Sequence, residues 1–182
     1  MERGTNLSET FAASPSEEVK DHLWGLRDEA LYRARLSALY HRRREGFFDT
    51  IGKLTQATAL FAGSSAFAMA TDPGAVQIAS TIVAGVTALS LVFGFSGKAR
   101  RHAELAGQFK HIEAEIHSVG EYDYTEEQIN GWRAEVSRIE ASEPPALATL
   151  VGICQNRLAR AGGHEDKIVP ISWHRSLIAH FV

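Results

Sequence analysis

The chain lacks the cysteines on which a disulfide-stabilised protein depends. Cys154 is the single cysteine among 182 residues, so no internal disulfide can form, and the composition is compatible with a reducing cytosol. We expect this cysteine to be a small buried hydrophobic residue.

The chain also has no large excess of positive or negative charge. The 19 Lys and Arg residues stand against 22 Asp and Glu, a formal net charge of −3, which gives no reason to expect direct nucleic-acid binding.

Motifs for nucleotide binding, metal binding and catalysis are missing as well. The stretch GFSGKARR fails the Walker pattern, because Val92 and Ala99 stand where a phosphate-binding loop needs Gly and Ser or Thr. His41 with Glu45 forms only a pair, and the later histidines lack the helical spacing of metal ligands. These later histidines are His102, His111 and His117. No Ser-His-Asp set or paired carboxylates stand out, so we expect no enzyme, no cofactor and no metal.

Charged residues are almost absent from the middle of the chain. Across residues 54–95 the single charged side chain is that of Asp72, which belongs to a turn signal. The stretches 51–70 and 74–95 each have about the twenty residues that a helix needs to cross roughly 30 Å of hydrocarbon. We therefore predict an all-α fold, a transmembrane helical hairpin with its turn at residues 71–74, extended into a cytoplasmic helical bundle.

Basic residues flank this apolar region on both sides, whereas the turn has no Lys or Arg. The positive-inside rule then places both termini in the cytoplasm. The residues expected to contact lipid headgroups are Arg42, Arg43, Arg44, Lys98, Arg100 and Arg101. A nucleotide pocket built between subunits stays an alternative for the arginine cluster. A soluble helical bundle stays an alternative for the apolar region, although a soluble helix in so small a protein needs a charged outer face.

Small and polar residues punctuate both apolar stretches. Small residues recur every four positions, which favours close packing of membrane helices, and the residues predicted to pack are Ala62, Ala66, Ala84 and Ala88. Polar side chains are costly in lipid, so several must turn to another helix or to water, unless hydroxyl groups bond to carbonyls of their own helix. Two helices offer little interior, so we expect a homo-oligomer. The candidate pore-lining residues are Gln56, Ser64, Thr81, Thr87 and Ser90.

The flanking sequences have the apolar periodicity of packed helices. It predicts one helix over residues 17–48 and another over 97–119, the latter with the coiled-coil seam of Leu105, Phe109, Ile112 and Ile116. Residues 121–163 add further cytoplasmic helices, the first of which opens with a capping box at Thr125 and Gln128. We expect these helices to continue the membrane pair into the cytosol as a packed stalk.

The two ends of the chain differ in composition. The first twenty residues contain no apolar stretch after a basic start, so we expect no signal peptide and a disordered lead over residues 1–20. The tail, residues 164–182, is apolar, and we expect it to dock on the bundle. Docking on a neighbouring subunit, or at the membrane interface through Trp173 and Phe181, are the alternatives.

The order of these features resembles a known family. The stretch ALYHRRREGFFDTIGKLTQ leads into the first span, and LSLVFGFSGKARRHAELAGQF leaves the second. Together they resemble the SLATT family, two-transmembrane effector proteins of bacterial conflict systems, over a core at residues 21–120. The resemblance implies a bacterial inner-membrane effector that oligomerises and permeabilises the membrane when triggered in anti-phage defence. It also implies a nucleotide-signalling or sensor protein as a partner.

These expectations define two functions. The first is an oligomeric membrane protein that opens a pore under the control of its cytoplasmic helices. The second is a membrane-anchored interaction module that recruits a soluble partner and never conducts. The lipid bilayer is a partner in both.

Overall fold

The structure is a computed structural model, and it describes residues 17–121 and 123–181. Within these residues the chain is all-helical, with no strand. Residues 17–20 of the predicted lead form the first turn of a helix, and the rest of that lead lies outside the described residues. The prediction of an all-α fold is confirmed.

The first helix, α1, is one continuous element from Glu17–Ala68. It contains no proline, and Glu17 and Glu18 in its first turn interact favourably with the positive end of the helix dipole. The predicted cytoplasmic helix and the first apolar stretch are therefore a single rod of 52 residues.

A tight turn joins α1 to α2, which covers Pro73–Phe93. The Asp72 side chain caps α2 by accepting hydrogen bonds from the backbone N–H groups of Gly74, at 2.9 Å, and Ala75, at 3.3 Å. Pro73 occupies the first helical position, where its missing N–H is not needed. The turn at residues 69–72 lies slightly earlier than the predicted one.

A single glycine separates α2 from α3, which covers Phe95–Ser118. Gly94 has left-handed backbone angles, φ 56° and ψ 43°, and its N–H donates to the Ser90 carbonyl. Together α2 and α3 run antiparallel to α1 from its C-terminal end to about the level of Arg27. His41 faces His102, and Arg27 reaches the Ile116 carbonyl, so facing residues are nearly equally displaced from Asp72.

The main core lies where α4, Glu126–Glu140, packs onto α1 and α3. The predicted seam of α3 is buried in it, opposite small residues of α1 and the apolar stripe of α4. Its largest contributors are Phe109, Ile112, Ile116, Ile129, Trp132 and Val136, against Ala30, Ala34 and Ala38. The predicted capping box is present, with Thr125 and Gln128 bonded reciprocally.

A smaller cluster forms where α5, Ala148–Ala161, packs beside α1. It contains Tyr40, Leu150 and Cys154, and the Tyr40 hydroxyl accepts a hydrogen bond from the Leu147 N–H at 3.1 Å. Cys154 is fully buried, and burial raises the pKa of its thiol. After α5 the chain continues through a 3₁₀ turn at Glu165–Lys167 and a short helix, α6, at Trp173–Leu177.

Candidate functional site

The hairpin of α2 and the end of α1 projects from the bundle with its apolar side chains exposed. Among the described residues, one helix is long and apolar enough to cross a membrane. It is α2 continued into α3, and almost none of its apolar stretch is buried within the chain. The end of α1 is not apolar enough over the same length, and it contains Lys53 and Gln56. The predicted pair of spans is therefore supported for its second member only.

The two helices of the hairpin meet along a seam with alternating three- and four-residue spacing. The α1 side of the seam consists of Gly52, Thr55, Ala59, Ala62 and Ala66, and the α2 side consists of Val76, Ala79, Val83, Val86 and Ser90. Ala62 and Ala66 thus lie where packing was predicted. Ala84 and Ala88 lie on the exposed face of α2. Within the chain, Val83 and Val86 therefore make the contact with α1 that was predicted for these two alanines.

The two broad sides of the hairpin differ in chemistry. Both helices are right-handed and antiparallel, so residues rotated in the same sense from the seam lie on the same side. We call one side the polar side. It consists of Gln56, Gln77, Ser80, Ala84 and Thr87, with Leu60, Phe67 and Leu91 among them, and Ser64, Thr81 and Ala88 lie next to it on the face directly opposite the seam. The opposite, apolar side consists of Leu54, Phe61, Ile78, Ile82, Leu89 and Phe93, with Thr58 and Ser65 among them.

Hydroxyl groups on the apolar side bond to their own helix. Thr58 donates to the Leu54 carbonyl at 2.9 Å, and Ser65 donates to the Phe61 carbonyl at 2.8 Å. These bonds lower the cost of placing a hydroxyl in an apolar setting. On the face opposite the seam, Thr81 bonds in the same way to the Gln77 carbonyl.

The predicted pore-lining residues divide between two places. Gln56 and Thr87 lie exposed on the polar side, and Ser64 and Thr81 lie exposed on the face opposite the seam. Ser90 lies half-buried in the seam, so it faces α1 rather than the surroundings of the hairpin. The structure therefore leaves four of the five residues exposed on the outside of the hairpin.

A buried pair of histidines lies at the junction between the hairpin and the bundle. The Nδ1 atoms of His41, on α1, and His102, on α3, are 2.8 Å apart, and both rings are buried. His41 Nε2 lies 3.1 Å from Glu143 Oε1, close enough for an ion pair but without the alignment of a hydrogen bond. The rings of Phe48 and Phe109 stack against the pair. This His41–His102–Glu143 cluster links α1 and α3 to the turn after α4.

The surroundings of His102 favour its neutral form. If His41 carries its proton on Nε2, facing Glu143, its Nδ1 is free to accept the Nδ1 proton of His102. This arrangement can form with His102 uncharged. Burial lowers the pKa of His102 to about 4, and the charges of His41, Arg44 and Arg101 act in the same direction.

The basic residues predicted to contact lipid headgroups have uneven exposure. Arg44 donates to the His180 carbonyl at 2.7 Å and lies over the Phe48 ring at 4.5 Å, and burial lowers the pKa of its guanidinium. Arg101 donates to the Ser142 carbonyl at 2.6 Å. Arg44 and Arg101 therefore stabilise the junction between the hairpin and the bundle. Among the other predicted headgroup contacts, Arg42, Lys98 and Arg100 are exposed and Arg43 is half-buried.

A groove of about 1130 Å³ runs between α1, α3 and α5. Several of its cations are paired with carboxylates of the same chain. Arg35 bonds to Glu113 at 3.0 Å, Lys110 bonds to Glu113 at 2.5 Å, and Arg42 bonds to Glu45 at 2.8 Å. These cations do not converge on a site for a phosphate. Across residues 17–121 and 123–181 no three His, Cys, Asp or Glu side chains are placed to hold a metal ion.

Comparison of the chain with protein-family models, with curated proteins and with solved structures finds no match. The resemblance to the SLATT family consequently rests on the sequence motifs alone.

Proposed function

We propose that the hairpin enters a lipid bilayer as two spans and that the bundle remains on the cytoplasmic side. The exposed apolar side chains of α2 support insertion, because a water-facing helix of this length needs a charged face. The turn at residues 69–72 has no Lys or Arg, while both ends of the hairpin carry them. Lys53 is paired with Asp49 at 2.8 Å, near enough to the boundary for its ammonium group to reach the headgroups.

The hairpins associate through their polar sides. Interhelical hydrogen bonds in membranes contribute on average only about 0.6 kcal/mol each, so a single polar pair cannot drive assembly. The polar side and the adjoining outer face offer two glutamines, several hydroxyl groups and two alanines, with Leu60, Phe67 and Leu91 exposed among them, while the apolar side offers mostly bulky side chains to lipid. This difference between the sides is the observation that carries the proposal. In a ring of hairpins it places Gln56 and Thr87 toward the centre, with Ser64 and Thr81 beside them.

The continuous α1 rod couples the bundle to the hairpin. A displacement of α1 against α3 in the bundle moves the same helix in the membrane, and no loop absorbs the movement. A trigger that favours one of two packings at the His41–His102–Glu143 cluster then shifts the population between closed and open hairpin assemblies. The protein is thus a pore-forming effector of the bacterial inner membrane, similar to the SLATT family and acting in conflict with phage.

Paired substitutions at different positions around the hairpin test this function. The polar-side variant, Ser64→Leu with Thr87→Leu, adds bulk on the polar side and the outer face beside it, whereas Ser65→Leu with Thr58→Leu makes the same chemical change on the apolar side. Each variant is expressed in bacteria, and membrane potential is followed with a potential-sensitive dye. We expect the wild type and the apolar-side variant to depolarise the cells, and the polar-side variant to lose this effect at equal membrane abundance.

Two results would count against the pore. Equal depolarisation by the polar-side variant would remove the polar side from the conduction path. A wild type that resides in the membrane and leaves the potential unchanged would favour the membrane-anchored interaction module instead.

A further inference from the structure

The C-terminal tail is fixed to the junction at the level where the hairpin begins. Ala179 is buried in the cluster with Tyr40 and Cys154. The His180 ring stacks on Phe47 at 4.3 Å between centroids, and the His180 carbonyl accepts the Arg44 hydrogen bond. Phe47 precedes the apolar stretch starting at residue 51 by about one helical turn. The tail is therefore held next to the site of membrane entry.

Several large apolar side chains of this tail are exposed. Four of them, which we call the apolar foot, are Trp173 at 76%, Leu177 at 71%, Ile178 at 47% and Phe181 at 69%. Two of them, Trp173 and Leu177, are one helical turn apart on α6. Phe181 also touches the Phe47 ring edge-on, with centroids 5.4 Å apart. Large apolar side chains clustered in this way mark an interaction surface.

The charges around the foot match a lipid surface. Arg175 lies exposed within the same short helix, and Lys98 is exposed with its ammonium 5.6 Å from the Phe48 ring. Tryptophan and phenylalanine beside basic side chains are typical of segments that lie in the headgroup region of a membrane.

We propose that the apolar foot lies in the interface of the bilayer from which the hairpin enters, with Trp173 among the lipid headgroups. This inference rests on the proposed membrane insertion of the hairpin. The foot adds a second attachment, roughly parallel to the membrane surface, and Arg44 and Phe47 connect it to the rod that enters the membrane. It restrains the tilt of α1 at the junction.

Fluorescence quenching in vesicles tests the location of Trp173. The full chain is reconstituted into vesicles of phosphatidylglycerol and phosphatidylcholine whose acyl chains carry bromine near the headgroup. The wild type is compared with Trp173→Phe and, as the matched control, with Trp24→Phe. Trp24 lies near the start of α1, far along the rod from the hairpin, and its ring contacts Arg27.

We expect bromine to quench part of the wild-type emission, and Trp173→Phe to reduce that quenched part several-fold while Trp24→Phe preserves it. Equal quenching of the wild type and Trp173→Phe, in chains that float with the vesicles, would overturn the inference and leave the hairpin inserted. A second outcome would also overturn the inference: Trp173 is not quenched, and its blue-shifted emission moves to the red when the protein is diluted into excess lipid. That result would mean that the foot packs against a second copy of the chain. Failure of the chain to float would overturn the proposed function together with the foot.

Discussion

At the scale of single residues, the histidine pair is the feature that most affects how the protein responds to pH. His102 is buried against His41 and aromatic rings, and burial lowers its pKa to about 4 from the ordinary 6.5. Between these values the unfolded chain binds a proton that the folded chain does not. The contribution of neutral His102 to the free energy of unfolding is therefore fully present above about pH 6.5. It decreases as the pH falls through this window and is lost below about pH 4.

His102→Asn tests this linkage, because its amide can still bond to His41 but does not titrate. Between pH 7 and 4 we expect the variant to lose about 1–3 kcal/mol less stability than the wild type. The measurement is the free energy of unfolding in detergent micelles, followed by circular dichroism. Gln108→Asn, on the exposed face of the same helix, changes no titratable group and should keep the wild-type pH dependence. Identical pH profiles for all three proteins would contradict the assignment.

The pairing of His41 with His102 was not predicted from the sequence, because the spacing of metal ligands within one helix does not reveal a contact between two helices. The register of an antiparallel helix pair would have predicted this contact. If the hairpin and the flanking helices form one antiparallel pair, residues nearly equally displaced from Asp72 face each other, and this brings His41 close to His102. The exposed polar residues Gln56 and Ser64 were predictable from polarity, but the half-buried position of Ser90 required the seam between α1 and α2.

At the scale of elements, Gly94 determines how α2 turns into α3. Its left-handed φ of 56° suits glycine, and substitution by alanine costs roughly 1–2 kcal/mol. Gly97 is three residues further on, inside α3, and a Cβ added there meets open space.

We expect Gly94→Ala to destabilise the chain and Gly97→Ala to stabilise it by about 0.5–1 kcal/mol, because glycine is unfavourable inside a helix. Equilibrium unfolding of both variants in the same detergent measures the two effects. Changes of the same sign and size would indicate that α2 and α3 form one straight helix.

The elements were predictable to different degrees, for physical reasons. The seam of α3 and the capping box of α4 were confirmed, since local periodicity and side-chain chemistry specify them. The joining of two predicted segments into α1 follows from the absence of proline. The contact face of α2 was not found, because Val83 and Ala84 are both acceptable in lipid and only the partner helix distinguishes them.

At the scale of the whole molecule, the chain is a rod with a bundle around one half. The apolar end is bare, while the other half of α1 is covered by α3, α4 and α5. The docking of the tail on α1 and α5 depends on long-range contacts, such as Ala179 in the small cluster, that a sequence pattern does not encode. The proposed membrane entry would account for the bare end, and the proposed self-association would account for the difference between its two sides.

The most direct test of this account is the topology of the hairpin turn in living bacteria. In a Cys154→Ser background, Thr71→Cys puts a thiol in the exposed turn and Gln108→Cys puts one on the exposed face of α3. A membrane-impermeant maleimide is applied to intact and to permeabilised cells. We predict that the Thr71→Cys protein is labelled in intact cells and the Gln108→Cys protein only after permeabilisation. Labelling of both proteins only after permeabilisation would contradict a hairpin that spans the membrane.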